Sequence, residues 1–199
     1  QLEGLLDTLT DAKEYGSILN VESYNWDLLR RFVAAENTDG QISMDSVGVE
    51  DTAEQLNRLI DIGETMARKY WVTVTNPPYR GISDVDVKLQ NFAKEKYPNS
   101  KADLSTICME RAFAMTCHNG MIAMINIPVW MFIATYEKLR LSMMMAQTYI
   151  NMLHCGRGIF LADFRIGEAL GRENHRFAFA FRQGVEHGTG LIAPRLRLV

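Results

Sequence analysis

Cysteine, proline and long apolar runs are all scarce in this 199-residue chain, which has three cysteines and five prolines. The three cysteines, Cys108, Cys117 and Cys155, are an odd number in a chain without a recognisable secretory leader, which points to free reduced thiols rather than a disulfide framework. Cys117-His118 and His154-Cys155 lack the Cys-x-x-Cys pairing of zinc sites, so no metal is expected. Neither pair shows a third group that would orient a nucleophile, so turn or core roles are expected for them. No apolar stretch approaches the roughly 20 residues needed to cross a bilayer. The richest, residues 121–135, is interrupted by Asn126 and Pro128 and reads as buried strand and loop. Repeats and low-complexity tracts are also missing. A soluble, cytoplasmic protein with no membrane partner is expected.

What is present fits one α/β domain or most of one: 47% apolar content over this length can bury a sizeable core. Residues 1–15 and 24–36 have helical spacing, with Tyr24, Leu28 and Phe32 on one stripe. A polar loop over 37–50 precedes a helix over 51–69, capped by Asp51 or Thr52, with Ala53, Leu56, Ile60 and Ala67 spaced for burial. The apolar run 70–75 reads as a strand buried in a parallel sheet. A short helix over 84–96 follows. Ser100 or Asp103 opens another, which runs to about Cys117 and is closed by His118-Asn119-Gly120, with Leu104, Ile107, Met109, Phe113 and Ala114 directed to the core. Strands over 121–127 and 147–153 flank a helix over 134–146, and Met143-Met144-Met145 are expected to fill core gaps.

Charge is unevenly spread. Residues 1–70 carry six basic and fourteen acidic groups, residues 71–160 nine and six, and residues 161–199 six and four. The acidic first third is therefore a poor phosphate-binding surface, whereas Arg80, Lys88, Lys94, Lys96 and Lys101 form a candidate one. A solvated helix and loop explains the same residues.

The most informative segment is Asn76-Pro77-Pro78-Tyr79, which directly follows the strand Trp71-Val72-Thr73-Val74-Thr75. An exocyclic amine on a purine ring delocalises its lone pair and is a poor nucleophile. If the Asn76 carboxamide oxygen and the Pro77 carbonyl each accept one N–H, the nitrogen is drawn toward tetrahedral geometry and its lone pair is freed. Pro77 and Pro78 fix φ and remove two backbone donors, which stiffens the loop. Tyr79 offers a flat face to a base taken out of its stack. Ligands of open α/β sheets bind beyond the carboxyl ends of strands, which is where this motif sits. The same tetrapeptide also suits a plain rigid turn.

Residues 69–79 resemble the catalytic strand and loop of adenine-specific DNA methyltransferases. Continuing through Tyr97-Pro98-Asn99-Ser100-Lys101-Ala102-Asp103-Leu104, Glu110-Arg111, residues 120–125, Trp130-Met131-Phe132, Tyr136-Glu137-Lys138-Leu139-Arg140 and His154 before Gly156-Arg157-Gly158, the chain is most similar to the PglX-type enzymes of BREX phage-defence systems. The resemblance covers about residues 10–160.

It implies an α/β, Rossmann-like S-adenosylmethionine-dependent methyltransferase fold. The implied activity is methyl transfer from S-adenosylmethionine to the adenine amino group in double-stranded DNA, alongside other defence-system subunits. Asn76, Pro77, Pro78 and Tyr79 would be the catalytic residues, and Asn76, Tyr79 and Trp130 would contact the base, although core packing suits Trp130 at least as well. Family members are longer and carry a Gly-rich donor loop and an acidic ribose-binding residue upstream. Neither is legible here, since Gly4 and Gly16 stand apart from any such loop. The expected division is therefore a partial catalytic domain over 1–160, its donor-binding part missing and inactive alone, and a departing segment over 161–199. In that segment only the run 176–182 reads as a strand, and the abrupt change predicts a shifted reading frame or misjoined end. Two other functions fit the motif. One is methylation of a protein glutamine amide, as in release-factor methyltransferases, which lack the insertion over 80–101. The other is a non-catalytic remnant.

Overall fold

The computed structural model describes residues 1–38, 47–156 and 176–183. The chain divides into two compact units, Gln1–Arg68 and Lys69–Val199. The division expected at residue 160 does not coincide with this one.

The first unit is helical: α1 Leu2–Leu9, α2 Ala12–Tyr15, a 3-10 turn Gly16–Ile18, α3 Trp26–Thr38 and α4 Val47–Ala67. Its core gathers Leu5, Leu9, Ile18, Leu19, Val21, Leu29, Val33 and Ile60. The stripe expected on α3 is displaced by one residue. Leu29 and Val33 are buried, while Leu28 and Phe32 are about half exposed, because α3 carries two adjacent apolar stripes and only one can face α4. Arg30 fastens the two helices by pairing with Asp61 at 2.8 Å and with Glu64. Helix α4 begins at Val47, so the expected caps Asp51 and Thr52 lie inside it. Of its expected core positions Ile60 is buried and Ala53, Leu56 and Ala67 are half-buried.

The second unit is built on a four-stranded mixed sheet of order β1-β2-β4-β3, with β1 Tyr70–Thr75, β2 Thr116–Asn126, β3 Gln147–Gly156 and β4 Arg176–Gln183. Strands β1 and β2 are parallel, as the helical crossover between them requires, and β4 runs antiparallel between β2 and β3. Helices α5 Val87–Lys96 and α6 Leu104–Met115 lie in the β1 to β2 connection, and α7 Val129–Phe132 and α8 Glu137–Ala146 in the β2 to β3 connection. The core packs Met109, Ala112, Ile122, Met124, Trp130, Tyr136, Leu139, Met143, Phe179 and Phe181 together. Of the methionine triplet only Met143 enters it; Met144 and Met145 are exposed, since three consecutive helical positions cannot share one face.

Three further expectations change. His118-Asn119-Gly120 does not close α6 but lies within β2, where the pairing slips between Tyr70↔Thr116 and Val72↔Met121. Asn119 takes a left-handed φ of 63° in that bulge. Ala114 of α6 is exposed, while Ser105, Thr106 and Arg111 are buried beside Ile107 and Met109. Strand β1 is not sandwiched: Trp71, Val72 and Val74 are 71%, 61% and 73% exposed, and β1 is also the edge strand, pairing only with β2 among the described residues.

Candidate methyl-acceptor site

The candidate site lies at the carboxyl ends of the two parallel strands. Register pairs Thr75 with Met124, so Asn76 leaves β1 beside Ile125 of β2. Asn76 is exposed, Pro77 buried, Pro78 exposed and Tyr79 half-buried. The loop folds back so that the Tyr79 hydroxyl donates to Asn76 Oδ1 and also lies 3.0 Å from the Ile125 carbonyl oxygen. An amide oxygen, a main-chain carbonyl and a phenol thus converge at the tip of the sheet, and all of them are neutral. Such a set grips hydrogen-bond donors without offering a charge.

The loop is pinned from behind by the segment that leads into α6. Leu104 N–H donates to the Arg80 carbonyl at 2.9 Å, Ile82 N–H donates to the Ala102 carbonyl at 3.0 Å, and Gly81 bridges to Asp103. Asp103 is the cap of α6, its Oδ1 accepting from the Ser105 N–H at 2.8 Å and the Ser105 hydroxyl at 2.6 Å. Burial pushes the Asp103 carboxyl above its ordinary range, against the Ser105 bonds that pull it down. Ser100 donates to Glu110 at 2.6 Å, and Thr106 donates to the Ser100 carbonyl at 2.6 Å. Residues 97–104 therefore act as a buttress that holds the loop after Tyr79, a role no single residue in them announces.

Trp130 does not line an open face with Asn76 and Tyr79. It is 2% exposed, with its ring 5.4 Å from that of Phe179, and packs in the core. Arg140 explains part of this, donating to the Trp130 carbonyl at 2.8 Å and the Ile133 carbonyl at 2.7 Å and so fixing the segment after β2. Phe132, by contrast, is exposed. Sequence reasoning missed the Ile125 carbonyl, because a main-chain acceptor leaves no residue signature. The only advance signal was the parallel pairing that sets two strand ends side by side.

Cys108 and Cys117 are free thiols, and burial and the nearby Asp103 push the Cys108 thiol up to about 11, which keeps it protonated at neutral pH. The side chains of His154 and Cys155 lie outside the described ones. Among the described residues no group of three His, Cys, Asp or Glu side chains is placed to hold a metal, and no helix is long and apolar enough to cross a membrane. Arg80, Lys88, Lys94, Lys96 and Lys101 are exposed on α5 and its flanking loops; Arg80 donates to the Asp84 carbonyl and Lys96 pairs with Glu95 at 2.9 Å.

A neutral hydrogen-bonding loop at the carboxyl end of a parallel strand stands where open α/β sheets bind their ligands. The chain belongs to the Eco57I restriction-modification methylase family, whose profile matches residues 13–160. It is similar to the adenine-specific methyltransferase PglX of Lacticaseibacillus casei (strain Zhang), with 34% identity over 80% of this chain and 13% of that protein. It is also similar to the adenine-specific methyltransferase BrxX of Escherichia coli O9:H4 (strain HS), with 32% identity over 78% of this chain and 13% of that one. The chain thus spans about an eighth of the length of these relatives. Among solved structures, a class I S-adenosylmethionine-dependent methyltransferase of Listeria monocytogenes aligns with a TM-score of 0.45 and 8% identity, over 99% of this chain and 71% of that one.

Proposed function

We propose that this chain is the acceptor-holding part of an enzyme that transfers a methyl group from S-adenosylmethionine to the exocyclic amino nitrogen of adenine in double-stranded DNA, marking DNA within a phage-defence system. The observation that carries this reading is the exposed Asn76 carboxamide at the end of parallel β1, on a loop stiffened by Pro77 and Pro78 and pinned to the head of α6. Asn76 Oδ1 and the Pro77 carbonyl accept the two N–H groups of the adenine, and the Tyr79 ring stacks on the extruded base. Bound S-adenosylmethionine would supply the methyl group; Asn76 and Pro77 orient the amine nitrogen and accept hydrogen bonds from its N–H groups, and the proton that the methyl group displaces leaves to solvent. Trp130 supports the segment after β2 from within the core rather than touching the base. Arg80, next to Tyr79 in sequence, and the exposed lysines of α5 suit phosphate contacts.

The donor pocket is assigned to no residue of this chain. The relatives are roughly sixfold longer, and among the described residues β1 pairs on one edge only, with Trp71, Val72 and Val74 exposed, although parallel strands are ordinarily covered on both faces. A donor-binding part elsewhere in a longer protein, seated along β1, completes the enzyme, and this chain alone is inactive.

The test is methyl transfer by a longer protein carrying this sequence, with labelled S-adenosylmethionine and either unmethylated duplex DNA or a glutamine-containing release factor as acceptor. Label should enter DNA as N6-methyladenine, and Asn76→Ala should cut kcat by about a hundredfold or more, the order of loss when one such polar group is removed. Label in the protein substrate, or full activity in Asn76→Ala, would overturn the reading.

A further inference from the structure

The hydroxyl of Tyr79 occupies an acceptor that the substrate must use. Its ring is already assigned to stacking, but its oxygen has a separate placement, donating to Asn76 Oδ1 and 3.0 Å from the Ile125 carbonyl. A phenol brings one proton to these two acceptors and can satisfy only one at a time. A primary amine brings two, one for Asn76 Oδ1 and one for the Pro77 carbonyl. Asn76 is exposed at the tip of β1, so without a partner its carboxamide is free to rotate. The hydroxyl fixes which end of the amide faces the loop and keeps the oxygen, not the NH2, directed at the place where an incoming N–H must arrive.

We propose that the Tyr79 hydroxyl is a placeholder for the target amine: it holds Asn76 Oδ1 in accepting orientation while the site is empty and is displaced when an NH2 group enters. This rests on the adenine reading above and deepens it by giving the site a selectivity for amines with two N–H bonds. A methylated amine retains one N–H, so the phenol can reclaim an acceptor from the product. Exchange of one hydrogen-bond partner for another needs no bond to break in either molecule. Removal of the hydroxyl therefore lets the amine bind without displacing anything.

Side-chain amide NMR on this chain tests the idea, with the Asn76 resonance assigned by its loss in Asn76→Ala and folding checked by the dispersion of the spectrum. Tyr79→Phe keeps the ring and removes the hydroxyl. In the absence of nucleotide the Asn76 resonance should shift in Tyr79→Phe. Titrated with millimolar dAMP, Tyr79→Phe should bind about two- to tenfold more tightly than the wild type, the factor one neutral hydrogen bond is worth. With N6,N6-dimethyl-dAMP, which has no N–H to offer, the two proteins should bind equally. An unmoved Asn76 resonance, or weaker dAMP binding by Tyr79→Phe, sinks the placeholder. Equal dAMP affinity in both proteins, with Asn76 shifting on titration, leaves the adenine site standing and removes only the placeholder. If dAMP moves the Asn76 resonance in neither protein, the adenine site and the placeholder fall together.

Discussion

One carboxylate shows how the site is held. Asp103 caps α6 through Ser105 and bridges to Gly81 just after the Asn76–Tyr79 loop, yet burial pushes its carboxyl above the ordinary value of 3.8. A raised carboxyl is more costly to ionise in the folded chain than in the unfolded one. The wild type therefore loses stability as pH rises from about 3.8 through the folded value, and the loss is constant above it. Asp103→Asn keeps a capping acceptor and removes this titration, so its stability relative to wild type should improve as pH is taken from 3.5 to 7 in urea melts. Asp103→Ala should cost about 0.5–2 kcal/mol at pH 7, because the cap itself is lost. A wild type that gains on Asp103→Asn with rising pH would contradict the direction assigned to burial. The cap was legible in advance as one of two candidates, Ser100 or Asp103, and Asp103 is the one that accepts from Ser105. The Tyr79 to Ile125 contact was not, because its partners are 46 residues apart and one is a main-chain oxygen.

Elements were read well where the signal is local and less well where a neighbour decides. The strand 70–75 and the helix starting at Asp103 needed only their own residues. The buried stripe of α3 needed α4, and the exposure of β1 needed knowledge of which strands flank it. The bulge of β2 is the clearest case, since His118-Asn119-Gly120 resembles a helix stop yet serves as a detour inside a strand. Gly120 is fixed there by space. A Cβ at this position would lie 2.9 Å from the carbonyl oxygens of both Cys117 and Trp71 and 2.6 Å from the Thr116 methyl. Two of these three atoms are backbone and cannot swing away, so β1 and β2 would have to part. Gly120→Ala should destabilise the chain by about 1–3 kcal/mol, the usual cost of overpacking. A denaturant midpoint equal to that of the wild type would show that the bulge yields more easily than its geometry implies.

For the whole molecule the least legible part is the most consequential. From the sequence, residues 161–199 depart from the family pattern, and most of them lie outside the described residues. Yet Arg176–Gln183 is not an appendage. As β4 it is hydrogen-bonded to β2 on one side and β3 on the other, and it drives Phe179 and Phe181 into the core against Trp130, Phe113 and Tyr149. The period-2 alternation of 176–182 was visible, but its position in the sheet was not, because strand order is set by long-range pairing that no local window contains. The consequence is testable. Phe181→Ala should cost about 3–5 kcal/mol, the range for emptying a large core site. Deleting residues 176–199 should go further, since it removes both hydrogen-bonded neighbours' partner at once. Amide exchange is the measurement that separates local from global loss. The amides of β2 and β3 should lose protection, and with β2 the Ile125 carbonyl loses its fixed place beside Asn76. The amides of α1, α3 and α4, whose core lies within Gln1–Arg68, should keep theirs. Protected β2 amides after the deletion would mean that the sheet stands without β4, and that the site depends on β1 and β2 alone.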